Sequence, residues 1–120
     1  MYPNLQIEAA DGSKSGQRVV RLVGRLSLET VPDFLKVVRA ETAPVLILDF
    51  SKLDYLDSAG VGALVQVHVS GERSKRRVAV AGAGQRVMSV LDVTRVQKIL
   101  RLFPTVAAAE EALASSASAR

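Results

Sequence analysis

The stretch Val45–Gly62, VLILDFSKLDYLDSAGVG, decides how the rest of the chain is read. It opens on an unbroken apolar run, Val45-Leu46-Ile47-Leu48, closed by Asp49 and Phe50, with Pro44 just before it. Such a run predicts a strand buried on both faces. Ser51 to Asp57 reads as a short polar loop carrying Leu53, Tyr55 and Leu56. The small residues Ser58, Ala59 and Gly60 then lead into Val61, Leu64, Val65 and His68. That spacing is the apolar stripe of a helix lying on a sheet.

The strand thus delivers Asp57 and Ser58 to a helix N-terminus, where free N–H groups and about half a positive charge favour an anion. Two accounts follow. In one, Asp57 or Ser58 caps the helix and the glycines ease packing. In the other, a phosphate on Ser58 sits in the favourable field, and Gly60 and Gly62 leave a bare first turn that another protein approaches closely.

At 120 residues the chain is long enough for one domain with a real core, and 48% hydrophobic residues fit an ordinary globular protein. Without cysteine there is no disulfide or thiolate metal site, and one histidine excludes a multi-histidine metal site within one chain. No apolar run is long enough to span a membrane, and the N-terminus lacks a signal-peptide pattern, so a cytoplasmic protein without direct membrane insertion is expected. The net charge of +4 raises nucleic acid as a partner. The densest basic cluster, Arg73, Lys75, Arg76 and Arg77, has no interleaved aromatic residue to stack on bases, so it reads as a solvated turn and no nucleic-acid partner is expected.

In chain order, Leu5, Ile7 and Ala9 alternate with polar residues as a half-buried strand, AADGSKSG makes a hairpin connection, and Gln17–Val23 is the second strand, with Gly24 permitting a bend. Thr30-Val31-Pro32-Asp33 starts a helix capped by Thr30, buried through Val31, Phe34, Leu35 and Val38. The helix from Ser58 is expected to run to about Glu72, followed by a strand at Val78–Ala81. Gly82-Ala83-Gly84 is a tight turn, lacking the further residues of a dinucleotide or phosphate loop. A short helix buries Val87, Val90 and Leu91, Ile99–Phe103 is the last strand, and a closing helix packs through Val106, Ala109 and Leu113. The fold class is α/β: one domain over 1–114, a mixed sheet of about five strands with about four helices, and a disordered tail over 115–120.

With the strand and loop before it, Asp57-Ser58-Ala59-Gly60-Val61-Gly62 resembles the signature of the STAS domain family, the anti-sigma-factor antagonists, and the element order resembles that fold across nearly the whole chain. The resemblance implies a regulatory binding module. Ser58 would be phosphorylated by a serine-protein kinase that doubles as an anti-sigma factor and dephosphorylated by a PP2C-type phosphatase. The unphosphorylated form would sequester the kinase. The partner surface is expected at Leu56, Asp57, Ser58, Ala59, Gly60, Val61 and Gly62, extended by Leu26-Ser27 and by Gly82-Ala83-Gly84 on the same edge. Many family members carry an aspartate where this chain has Ser27. The alternative is an unmodified STAS scaffold subunit of a phospholipid-transport (ABC-type) or stressosome-like complex.

An enzyme is not expected. Ser58 as a nucleophile needs a base in hydrogen-bond reach, yet His68 lies ten residues along the same helix, roughly 15 Å away. His68 falls on the apolar stripe, where a partly buried, hydrogen-bonded core histidine is expected. Asp49, Asp54 and Asp57 lack the glycine-framed spacing of a calcium loop, so no metal and no cofactor are expected.

Overall fold

The run Val45–Leu48 lies at the centre of a five-stranded sheet of order β1-β2-β3-β4-β5, all four residues at most 1% exposed. The structure, a computed structural model, describes residues 5–118 and the side chains of 5–114. Residues 1–4, the start of the expected domain, and 119–120, the end of the expected tail, lie outside the described residues.

The strands are β1 (Leu5–Asp11), β2 (Gln17–Leu26), β3 (Val45–Leu56), β4 (Arg77–Ala81) and β5 (Arg101–Phe103). β1 runs antiparallel to β2, and the remaining pairs are parallel. The helices are α1 (Val31–Ala40), α2 (Ser58–Arg73), α3 (Gln85–Val93) and α4 (Val106–Ser118). α1, α2 and α3 cover one face, burying Phe34, Leu64, Val67 and Leu91 against Val20, Leu22, Leu46, Leu48 and Phe50. α4 covers the other, packing Ala109 and Leu113 against Val45, Ile47, Ala79 and Ala81. β3 is therefore buried from both sides, as a continuous apolar run requires.

Four expected boundaries move. Residues 51–56, read as a loop, continue β3 as strand and pair with β2, which itself runs past Val23 to Leu26. The pairing steps from Arg21↔Asp49 to Val23↔Lys52, and from Gly24↔Leu53 to Arg25↔Tyr55, so β3 carries one extra residue at each step. Each bulge resets which side chain faces inward. The buried residues accordingly fall at Leu48, Phe50, Leu53 and Leu56, spaced by two and then by three. The last strand is shorter than Ile99–Phe103, because Arg95 in a left-handed conformation and the 3-10 turn Val96–Lys98 occupy the chain just before it and leave Ile99 exposed. Finally, α4 continues to Ser118, past the boundary expected at 114, through alanines and serines with no glycine or proline to stop it.

Charged side chains tie the hairpin to its surroundings. Arg18 grips Glu41 with two parallel hydrogen bonds (2.9 and 3.2 Å) and reaches Asp11 at 3.1 Å. In the loop after β1, Lys14 pairs with Glu111 of α4 at 2.7 Å.

Candidate functional site

Beyond the end of β4, β2 and β3 project as a two-stranded ribbon: Asp49 is the last β3 residue to pair with β4, and β3 goes on to Leu56. At the ribbon's tip the chain turns through Asp57 into α2. Asp57 is extended (φ −107°, ψ −176°) and is the N-cap, its Oδ1 accepting from the Gly60 N–H at 2.9 Å. Its Oδ2 accepts from the Leu28 N–H at 3.1 Å, and its own N–H donates to the Leu26 carbonyl at 3.3 Å. One side chain thus satisfies an orphan donor of the helix and fixes the loop between β2 and α1 beside it.

That loop is stiffened from within. The Ser27 N–H donates to Thr30 Oγ1 (2.9 Å), the Thr30 hydroxyl donates back to the Arg25 carbonyl (2.9 Å), and the Ser27 carbonyl accepts from the N–H groups of Thr30 and Val31. Thr30 stands at the N-cap of α1 as expected, but its hydroxyl makes no capping bond. It is turned towards the end of β2 instead.

The two glycines of the signature do different things. A Cβ on Gly60 would stand 2.6 Å from the Leu26 carbonyl oxygen and 2.7 Å from Leu56 Cδ1, so the absence of a side chain lets α2 sit against the ribbon. A Cβ on Gly62 would meet nothing within 4 Å, and only this glycine bares the surface. The expected partner residues divide the same way. Ser58 and Gly62 are exposed, Asp57 and Ala59 are half-buried, and Leu56, Gly60, Val61 and Ser27 are buried and shape the surface from beneath. Ser58 occupies the first turn of α2, and its hydroxyl makes no hydrogen bond among the described residues.

Sequence reading named Ser27 and Asp57 but missed Arg25, Leu28, Glu29 and Tyr55, which complete this surface. Arg25, Ser27, Leu28, Glu29, Tyr55 and Asp57 line a shallow groove of about 260 Å³. The register pairs Arg25 with Tyr55, and the guanidinium lies 4.4 Å from the ring centroid. Leu28 is 72% exposed. A cation over an aromatic face beside an exposed leucine is an arrangement that protein interfaces favour.

Gly82-Ala83-Gly84 does not extend this surface as expected. Gly82 lies against Ser51, five residues short of Leu56 along β3, or roughly 17 Å of extended chain. The bulged ribbon carries the α2 start away from the β4–α3 turn. His68 is half-buried, but the hydrogen bond expected for it is missing: Nδ1 is buried without a partner. One turn away, the side chains of Leu64 and Val65 are apolar, and Glu72 pairs with Arg101 at 2.9 Å. Among the described residues no three carboxylate or imidazole groups gather as a metal site.

The profile described as STAS domain matches residues 5–109. Solved structures of similar fold include an anti-sigma factor antagonist from Mycobacterium paratuberculosis, with a TM-score of 0.76 and 23% identity over 89% of this chain and 93% of that one. A sulfate transporter family protein from Wolinella succinogenes superposes with a TM-score of 0.74 and 21% identity, over 86% and 90%. The phosphorylated form of the Bacillus cell fate determinant SpoIIAA gives 0.59 and 17%, over 90% and 98%. Identities this low speak for the shared fold.

Proposed function

The chain belongs to the STAS domain family, and from that premise we propose that it is an anti-sigma-factor antagonist. It is a non-enzymatic cytoplasmic regulator of transcription that sequesters an anti-sigma factor with serine-kinase activity and is released by phosphorylation of Ser58. A PP2C-type phosphatase resets it.

The observation that carries this reading is the state of Ser58. Its hydroxyl is exposed, spends no hydrogen bond on the fold, and follows a residue, Asp57, whose two carboxylate oxygens are already engaged. Asp57 does the capping, so Ser58 is free for chemistry. A phosphate there adds about −1.5 to −2 charges within reach of the α2 N-terminus, which stabilises it in the isolated domain. A partner that desolvates Ser58, Gly62 and the Leu28–Tyr55 groove would have to bury that charge, at a cost of roughly 2–5 kcal/mol if unpaired. The switch therefore needs no refolding. Its test is mass spectrometry of the protein isolated from growing cells. Phosphate on Ser58 is expected, and none on Ser58 under any growth condition would contradict the switch.

The second reading is a constitutive scaffold in a transport or stressosome-like complex, with Ser58 never modified. Two observations favour it. A sulfate transporter family protein shares the fold. Ser27, which stands where many family members carry an acid, is buried and has both main-chain polar groups bonded within its own loop.

A further inference from the structure

The end of α2 remote from Ser58 closes in an unusual way. Ser74 caps the helix and Lys75 follows in the left-handed conformation (φ 60°), a position glycine usually takes. The Arg76 N–H donates to the Gly71 carbonyl at 2.7 Å, the Lys75 N–H to Glu72 at 3.1 Å, and the Ser74 N–H to Ser70 at 3.1 Å. The last carbonyls of α2 are therefore largely satisfied by main-chain donors. Arginine side chains near a helix C-terminus commonly serve those carbonyls. Here they are not needed for it.

Between this end of α2 and the last turn of α1 lies a cleft of about 70 Å³. Its polar lining consists of Arg39, Gln66, Ser70, Ser74 and Arg76, over an apolar floor that includes Val38 and Val67. Among the described residues no acidic one lines it. None of the five polar side chains has a hydrogen-bond or ion-pair partner among the described residues; Arg39, Gln66, Ser70 and Ser74 are exposed at the rim, and Arg76 Nε is buried without a partner. Two guanidinium groups, two hydroxyls and an amide stand around a space of a few water volumes, so the lining is rich in donors and carries positive charge without a carboxylate to balance it.

We propose that this cleft binds a single small oxyanion, namely inorganic phosphate or the phosphoryl end of a small phosphomonoester. Arg76 reaches it from the floor side and Arg39 from the rim, forming charge-assisted hydrogen bonds of the kind guanidinium groups make with phosphate. The volume suits one tetrahedral anion and is too small for a nucleotide. The site is independent of Ser58, at the opposite end of the sixteen-residue α2.

The test is a titration of the full chain with inorganic phosphate, followed by amide NMR, against sodium chloride at matched ionic strength. Saturable shifts confined to Arg39, Ser70, Gly71, Ser74 and Arg76 are expected with phosphate and absent with chloride. Arg76→Gln should weaken the binding by about tenfold or more, while Arg86→Gln on the exposed side of α3 leaves it unchanged. Should Arg76→Gln not fold, Arg39→Gln at the exposed rim carries the same expectation. Tighter binding of glycerol 3-phosphate than of phosphate would identify an ester as the ligand, and the reverse order the free anion. Shifts that never saturate, that chloride reproduces, or that survive both arginine substitutions would overturn the site.

Discussion

Asp57 holds Leu28: the carboxylate Oδ2 accepts the Leu28 N–H at 3.1 Å while Oδ1 of the same group caps α2 through Gly60. The start of α2 and the β2–α1 loop are thereby one rigid surface, with Ser58 on one side and Leu28 on the other. Asp57→Ala removes both bonds and is expected to cost about 1–2 kcal/mol in stability. Asp57→Asn retains an acceptor for Gly60 but turns an NH2 towards the Leu28 N–H, so it should lose mainly the loop tie. Urea denaturation of the two variants should rank Asp57→Ala below Asp57→Asn, and both below the wild type.

Gly60 and Gly62 should respond to alanine with opposite signs. At Gly60 the new methyl meets a carbonyl oxygen at 2.6 Å, and main chain cannot give way cheaply, so a loss of about 1–3 kcal/mol is expected. At Gly62 the methyl meets nothing, and alanine's better helix propensity should add up to about 1 kcal/mol. Equilibrium unfolding of the two single variants checks both signs. In a binding assay Gly62→Ala should weaken the partner complex despite the gain in stability.

Leu28 has no packing role that accounts for its exposure. Leu28→Asp should leave the melting temperature nearly unchanged and weaken partner binding by about tenfold or more, since a partner covering this surface would have to desolvate the new carboxylate unpaired. Calorimetric titration with the captured partner, beside a thermal melt, separates the two effects.

The bridge between Lys14 and Glu111 predicts a pH dependence. The hydrogen bond from Lys14, and then its charge, hold the Glu111 carboxyl below its ordinary value of 4.5. The hydrogen bond to Glu111, and then its charge, raise Lys14 above 10.5. A depressed carboxyl contributes stability that is present above its unfolded pKa and lost as pH falls through the lower folded value. A raised ammonium contributes stability that is present below its unfolded pKa and lost as pH rises through the higher folded value. Both groups are exposed, so the effect is small and screened by salt. Melting temperatures of wild type and Glu111→Gln should differ slightly at neutral pH and low salt, and converge in acid and in high salt.

Much of this was legible in the chain. Val45–Leu48 reads as a doubly buried strand because every residue is apolar, and the segment from Asp57 to Gly62 reads as a helix start because cap and small residues precede a helical stripe. The ribbon was not legible. Its two bulges convert the alternation of a strand into the three-residue spacing of Phe50, Leu53 and Leu56, a pattern that mimics irregular chain. The groove was hidden for the same reason: Arg25 and Tyr55 are thirty residues apart and become neighbours only through that shifted register. The jobs of Gly60 and Gly62 could not be separated either, since only the approach of Leu26 and Leu56 distinguishes them.

The central claim is that the charge on Ser58 governs partner binding, and a pull-down from native lysate with Ser58→Ala and Ser58→Asp baits tests it most directly. Both baits should melt within a few degrees of the wild type, because Asp57 rather than Ser58 caps the helix. The account predicts a kinase-like anti-sigma factor held by the alanine bait and lost by the aspartate bait. A membrane ATPase or permease held equally by both would contradict it.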